Sequence, residues 1–272
     1  ESVVHYESFD GRLASDTRPV GNAFAFEAGI RGEAGRFDAT QHAEWKASNF
    51  AVDAPWSLGF WMKPEGSLSC LLSKIEQKGR RRGLEILLQK GRVCVNLVEH
   101  WGVAAIEVSA QEAAADRQWH HVAVCYDGSR SADGLRVSID GARVPLAVHR
   151  DTLSGSIGND EPLRIGRRDS GLGFYGLLDE LRIVQQSLSD AEIASWFRSE
   201  RILGILERDA ESRSPLDREF LRDDYIDQQA GPAVRSARQR MKQAQRAESE
   251  FRAAIPTTLV MRELPEPREP PF

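Results

Sequence analysis

The strongest constraint in this chain is a period of two. Through about residue 185, apolar and polar residues alternate in short bursts separated by Gly, Asp, Asn and Pro, the pattern of half-buried antiparallel strands. Trp56, Leu58, Phe60 and Met62 fall on one side of such a run, with Ser57, Gly59 and Trp61 on the other. Val93, Val95 and Leu97 form a second stripe, and Trp119, His121, Ala123 and Cys125 a third. Asp140-Gly141 joins the segments 135–139 and 143–146, and this dipeptide adopts the positive φ angles of a two-residue hairpin turn. About a dozen such strands without intervening helices predict a two-sheet antiparallel jelly-roll sandwich.

Beyond Ile183 the period lengthens. Ser189 and Glu192 form a capping box before Ile193, Trp196 and Phe197, so a helix is expected from Asp190. Ser214-Pro215 opens another, Gly231-Pro232 closes it, and a last helix is expected from Ala233 to Ala254. In that helix Val234, Ala237, Met241, Ala244, Phe251 and Ile255 follow a heptad seam, interrupted by Glu248. The expected division is a sandwich over 1–200, a helical hairpin over 201–255 and an extended Pro-rich connector over 256–272. Arg235, Arg238, Arg240, Lys242 and Arg246 on the last helix face an acidic helix bearing Asp217, Glu219, Asp223, Asp224 and Asp227, which accounts for the basic run by internal pairing.

With 36 Lys+Arg against 41 Asp+Glu, the net charge of -5 offers no general attraction to nucleic acid. No run approaches the roughly 18 apolar residues of a membrane span. Three cysteines, without a C-x-x-C pair, support neither a disulfide scaffold nor a cysteine metal site. Position 1 is Glu, no signal segment precedes the strands, and residues 265–272 are Pro-rich, so the chain reads as part of a longer or processed protein.

Four motifs in order carry a resemblance: Trp119-His120-His121-Val122-Ala123-Val124-Cys125-Tyr126-Asp127-Gly128, then Val137-Ser138-Ile139-Asp140-Gly141, then Leu163-Arg164-Ile165-Gly166, then Gly176-Leu177-Leu178-Asp179-Glu180-Leu181-Arg182-Ile183. With Gly35-Arg36-Phe37-Asp38 and the run 56–64 before them and Leu188-Ser189 after, they resemble laminin-G-like domains of the concanavalin A-like lectin/glucanase superfamily over roughly residues 2–200. Ala39 departs from that family's pattern. The segments 99–108 and 255–263 are similar to parts of large exported planctomycete cytochrome proteins that carry such a module, and His100 and Gly102 depart from their usual pattern. That resemblance implies an internal module, an extracytoplasmic location and neighbouring domains as partners, with Leu259–Met261 docking on the domain that follows.

The superfamily contains both glycan-cleaving and glycan-binding members. Cleavage needs two carboxylates flanking one bond, and its glucanases present them on one strand as Glu-x-Asp-x-Glu. The strand segments here lack that run, and Asp179-Glu180 is adjacent, so a hydrolase is not expected. Asp179 shares parity with Leu177, Leu181 and Ile183, the expected core side, and therefore needs donors or a cation. One reading is a structural calcium ion held with loop oxygens of Asp10, Asp16 or Asp38; the other is a hydrogen-bonded acid tying the last strand to the first loop.

Gly171-x-Gly173-x-x-Gly176 leads into a strand and is not a dinucleotide fingerprint. His120-His121 diverge on a strand, and Arg80-Arg81-Arg82 between glycines reads as a solvated hairpin tip. Glycan binding needs an aromatic plane beside polar groups. His100-Trp101 in a strand connection is the leading candidate, with Tyr175, Trp45 and the group Arg167-Arg168-Asp169 as neighbours. Arginines there would favour an acidic or sulfated polysaccharide. Trp56 and Trp119 are expected in the core. The resulting expectation is a non-catalytic polysaccharide-binding module, with a purely structural interaction module as the alternative.

Overall fold

A computed structural model describes residues 3–46, 50–169 and 171–255. The connector expected over 256–272, including Leu259–Met261, lies outside the described residues. Sixteen strands follow one another among them: β1 (Val3–Glu7), β2 (Thr17–Gly21), β3 (Ala25–Ala28), β4 (Glu33–Asp38), β5 (Gln41–Trp45), β6 (Trp56–Pro64), β7 (Ser69–Ile75), β8 (Gly83–Gln89), β9 (Arg92–His100), β10 (Ala104–Ala113), β11 (His120–Tyr126), β12 (Leu135–Ile139), β13 (Ala142–Arg143), β14 (Leu146–Asp151), β15 (Leu163–Ile165) and β16 (Tyr175–Val184). Three helices follow, α1 (Asp190–Leu206), α2 (Pro215–Gln229) and α3 (Pro232–Ala254).

The strands form two eight-stranded antiparallel sheets. One runs β13-β12-β11-β6-β16-β4-β3, with β1 added along β16; the other runs β14-β10-β9-β8-β7-β15-β5-β2. The order skips between sequence-distant strands, as a jelly roll requires. Between the sheets lie Trp56, Leu58, Phe60 and Met62 of β6 and Val93, Val95 and Leu97 of β9, the stripes that alternation predicts. Asp140 and Gly141 take φ of 52° and 76° and turn β12 into β13.

The third stripe faces the other way. On β11 it is Val122, Val124 and Tyr126 that enter the inter-sheet core, while Ala123 and Cys125 belong to a smaller cluster with Val184, Leu188, Ile193 and Trp196. His121 is fully buried on that same outer side, and Trp119 is only half-buried. The reason is α1, which covers the outer face of this sheet and makes a second buried layer that a strand-period argument does not register.

β16 contains a bulge that reverses its parity. Asp179 pairs with Trp61 and Arg182 with Gly59, so residues 180 and 181 together oppose Phe60, and Glu180 takes a left-handed φ of 51°. Leu178 points into the core before the bulge, and Leu181 and Ile183 after it. Asp179 therefore leaves the core side, contrary to the parity expectation. Its neighbour Glu180 shares the outer face with it, because an inserted residue cancels the alternation that would separate them.

α1 is capped by the expected box: Ser189 Oγ accepts from the Glu192 N–H at 3.3 Å, and Glu192 accepts from the Ser189 N–H at 2.7 Å. It lies close against the sheet. A Cβ on Gly59 would fall 2.9 Å from the Trp196 ring, and one on Gly204 2.0 Å from the Ile30 carbonyl oxygen. The chain divides into two compact units, Glu1–Ser212 and Arg213–Phe272. The boundary thus falls after α1 and not at residue 200, since α1 packs with the sandwich. Within the second unit, α2 and α3 are tied by Arg238 to Asp223 at 2.5 Å and Asp227 at 2.9 Å, and by Lys242 to Asp227 at 2.6 Å. Val234, Met241, Phe251 and Ile255 of the heptad seam are exposed. Among the described residues no helix is long and apolar enough to cross a membrane.

Candidate functional site

In the second sheet, core side chains alternate with a polar row that crosses every strand: Arg18, Glu44, Arg164, Ser73, Glu85, Asn96, Glu107 and Arg150 are successive register partners. These positions alternate with core residues such as Leu84, Ile86, Val95 and Leu97, so the row lies on the outer face. Its middle is buried and its charges are paired. Glu85 is fully buried, receives Arg168 through Nε at 2.7 Å and Nη2 at 3.0 Å, and accepts from Asn96 Nδ2 at 2.8 Å. Arg168 reaches it from the segment between β15 and β16, where its own N–H donates to the Leu172 carbonyl at 2.8 Å.

The same guanidinium carries Trp101. Trp101 occupies the turn from β9 to β10, closed by the Val103 N–H donating to the His100 carbonyl and aided by Gly102 at φ 74°. Its own N–H donates to the Arg80 carbonyl at 2.9 Å, fixing the turn to the β7–β8 loop. The Arg168 guanidinium carbon lies 4.9 Å and that of Arg81 5.6 Å from the indole centroid, both in cation–π range. Arg81 is in turn 3.0 Å from Asp169. The indole still keeps 40% of its surface in solvent. Three loops thus converge on an exposed aromatic plane held by two ion-paired arginines, with His100 exposed beside it.

The remaining candidates lie elsewhere. Trp45 is buried in the main core, stacked on His5 with centroids 4.2 Å apart, its Nε1 donating to Asp16 at 2.9 Å, and it lies on β5, away from the Trp101 turn. Tyr175 is half exposed but begins β16 in the other sheet, opposite Asp38. Phe174 is buried in the core. Sequence reasoning missed Glu85 and Asn96, although a lone acid between Leu84 and Ile86 on a strand marks an outward carboxylate that needs a partner.

The acids read as calcium ligands, Asp179, Asp10 and Asp38, each accept hydrogen bonds of their own, while Asp179 Oδ1 is buried without a partner. Asp179 Oδ2 accepts from the Ile30 and Arg31 N–H groups at 2.8 and 3.2 Å, which ties the last strand to the β3–β4 turn. Asp10 accepts from the Glu33 N–H and links the β1–β2 loop to the start of β4, while Asp38 accepts from the Thr40 N–H and hydroxyl within its own turn. Among the described residues no three His, Cys, Asp or Glu side chains converge as metal ligands. His120 bridges Asp140 and Asp116 at 2.8 and 2.9 Å, and hydrogen bonding to Asp140 outweighs its burial to raise its pKa to about 9.

A second cluster lies beneath α1. Glu200 accepts from Trp61 Nε1 at 2.8 Å and Trp196 Nε1 at 2.6 Å, and Arg182 lies 3.3 Å from both Glu200 and Glu180. Burial pushes Glu200 up to about 7 and Asp179 up to about 8, and lowers His121 to about 3. A cleft of about 270 Å³ beside it is lined by Val3, Arg182, Trp196, Glu200 and Leu203. Of the polar groups facing that cleft, Arg182 and Trp196 are both bonded to Glu200, so these three residues secure the helix. The one Glu-x-Asp-x-Glu run of the chain, residues 207–211, lies in the turn after α1 and not on a strand.

The family model Laminin_G_3, described as Concanavalin A-like lectin/glucanases superfamily, matches residues 37–194. This chain belongs to that family. No curated protein matches the sequence. Among solved structures it is similar to the binding domain of Paraclostridial Mosquitocidal Protein 1, at 15% identity and TM-score 0.57, over 72% of this chain and 52% of that one. The binding domain of Botulinum neurotoxin DC in complex with rat synaptotagmin II matches at 12% identity and TM-score 0.54, over 73% and 52%. A botulinum neurotoxin type C, whose cell entry depends on interaction with two ganglioside molecules, matches at 10% identity and TM-score 0.53, over 73% and 51%. The chain spans about half the length of these toxin chains, and at such identity the likeness is one of fold.

Proposed function

We propose that this chain is a non-catalytic carbohydrate-binding module that engages polysaccharide at the Trp101 turn. The observation that carries the reading is an indole left 40% exposed although two guanidinium groups hold it in place. The exposed indole leaves apolar area in water that the apolar face of a sugar can cover. Here three loops fix it outward. An indole plane covers the C–H face of a sugar ring, while His100 and the guanidinium edges are within reach of its hydroxyls. Preorganisation lowers the entropy lost on binding. The ganglioside dependence of the type C neurotoxin is in keeping with a glycan-binding use of this fold. An extracytoplasmic setting, in a larger protein that the module holds on its polysaccharide, follows from the same reading.

A structural interaction module is the second reading, favoured by the exposed Val234, Met241, Phe251 and Ile255 of α3. A glycan array probed with wild type and Trp101→Ala separates the two. Glycan binding that the substitution removes supports the first. Absence of any signal across neutral and acidic polysaccharides supports the second.

A further inference from the structure

The arginines around Trp101 suggest an anionic ligand only until their partners are counted. Arg168 spends Nε and Nη2 on Glu85, whose side chain is fully buried. Arg81 pairs with Asp169, and Arg82 with Glu76 through Nε and Nη2 at 3.0 and 2.6 Å. Arg80 adds its field to Glu76 and Glu99, whose carboxyls are held below their usual range chiefly by Arg82 and by Ser154 respectively. Arg81, Arg82 and Arg168 are thus ion-paired with Asp169, Glu76 and Glu85, and Arg80 lies in the field of Glu76 and Glu99.

We infer that the Trp101 site selects a neutral polysaccharide, and that Glu85 and Asp169 set this specificity by consuming the guanidinium charge. The inference rests on the glycan-binding reading above and goes beyond it by naming the ligand class. A sulfate or uronate drawing Arg168 away would leave Glu85 buried and charged with Asn96 as its remaining donor, a state the site resists strongly. A neutral sugar imposes no such exchange: it stacks on the indole and takes hydrogen bonds from donors left at the rim. The ion pairs then act as struts, positioning the two cations that hold the ring.

Affinity electrophoresis of the whole chain tests this with neutral polymers (laminarin, arabinan, xylan) and anionic ones (heparin, dextran sulfate, alginate), each at low and at 300 mM salt. Wild type is expected to be retarded by a neutral polymer, unchanged by salt and lost in Trp101→Ala, with anionic polymers at least tenfold weaker. Glu85→Gln and Asp169→Asn free one guanidinium each and should gain salt-sensitive retardation by dextran sulfate. Asp169→Asn serves where Glu85→Gln melts below the assay temperature. Tight wild-type binding to a sulfated polymer, abolished by salt and by Trp101→Ala, overturns the neutral assignment and leaves the glycan reading standing. Failure of every polymer to bind removes both.

Discussion

The Arg168 guanidinium carbon stands 4.9 Å from the centroid of the Trp101 indole while two of its nitrogens hold the buried Glu85 carboxylate. One side chain therefore couples the sheet to the exposed ring. Removing it strands a charge: Arg168→Ala should destabilise the sandwich by about 3–5 kcal/mol, the usual cost of breaking a buried pair from one side. Arg168→Lys keeps the charge but loses the bidentate geometry and should cost less. Urea unfolding measures both, and a loss below about 1 kcal/mol for Arg168→Ala would show that Glu85 does not depend on it.

Helix docking sets a pH dependence. Asp179 and Glu200 are pushed up to about 8 and about 7 by burial, with Glu180, Arg182, Arg31, Tyr6 and the Trp61 and Trp196 indoles around them. A carboxyl raised in the folded state binds more protons folded than unfolded, so its stabilisation is complete at low pH and is lost as pH rises through the folded value. His121 works in the opposite sense: lowered to about 3, it costs stability as pH falls below its ordinary 6.5. Above pH 6.5 the two acids act together with His120, which Asp140 raises to about 9 and whose stabilisation is likewise lost as pH rises. The melting temperature should fall by several degrees between pH 6.5 and 8.5, and Glu200→Gln should flatten part of that slope. A melting temperature that climbs over this window contradicts the assignment.

Close approach predicts a second effect at the same layer. A Cβ on Gly59 would meet Trp196 at 2.9 Å and His121 at 3.3 Å, so Gly59→Val must displace α1. The expected loss is about 1–3 kcal/mol by overpacking, with glycan binding unchanged because the Trp101 turn belongs to the other sheet. Equal stability of variant and wild type in urea would mean that α1 is not held against β6.

The limits of the sequence reading follow from these residues. Alternation placed Trp56, Leu58, Phe60, Met62, Val93, Val95 and Leu97 correctly, because each run meets one apolar layer. It misassigned Trp119 and His121 because α1 supplies a second layer beyond the sheet. It misdirected Asp179 because a single inserted residue at Glu180 reverses parity, and Glu180 has no turn-forming chemistry to announce its left-handed backbone. Trp101 was legible as an exposed aromatic in a strand connection. Its arginine neighbours were legible in part, but their pairing to Glu85 and Asp169 spans more than 80 residues, which spacing does not encode.

Chelation should leave the fold unchanged. Asp179, Asp10 and Asp38 each satisfy separate backbone N–H groups, so EDTA should not move the melting temperature. Asp179→Ala, in contrast, leaves the Ile30 and Arg31 N–H groups without their acceptor and should cost about 1–3 kcal/mol. A chelator-dependent drop reversed by calcium would contradict this account.

The most direct test is the ratio of dissociation constants of wild type and Trp101→Ala for one polysaccharide, measured by isothermal titration calorimetry with the melting temperatures of both proteins as control. Loss of the stacking plane should weaken binding at least tenfold, about 1.4 kcal/mol, while melting is unchanged within a degree or two. Equal constants for two equally folded proteins would place the sugar elsewhere on the sandwich and contradict the Trp101 site.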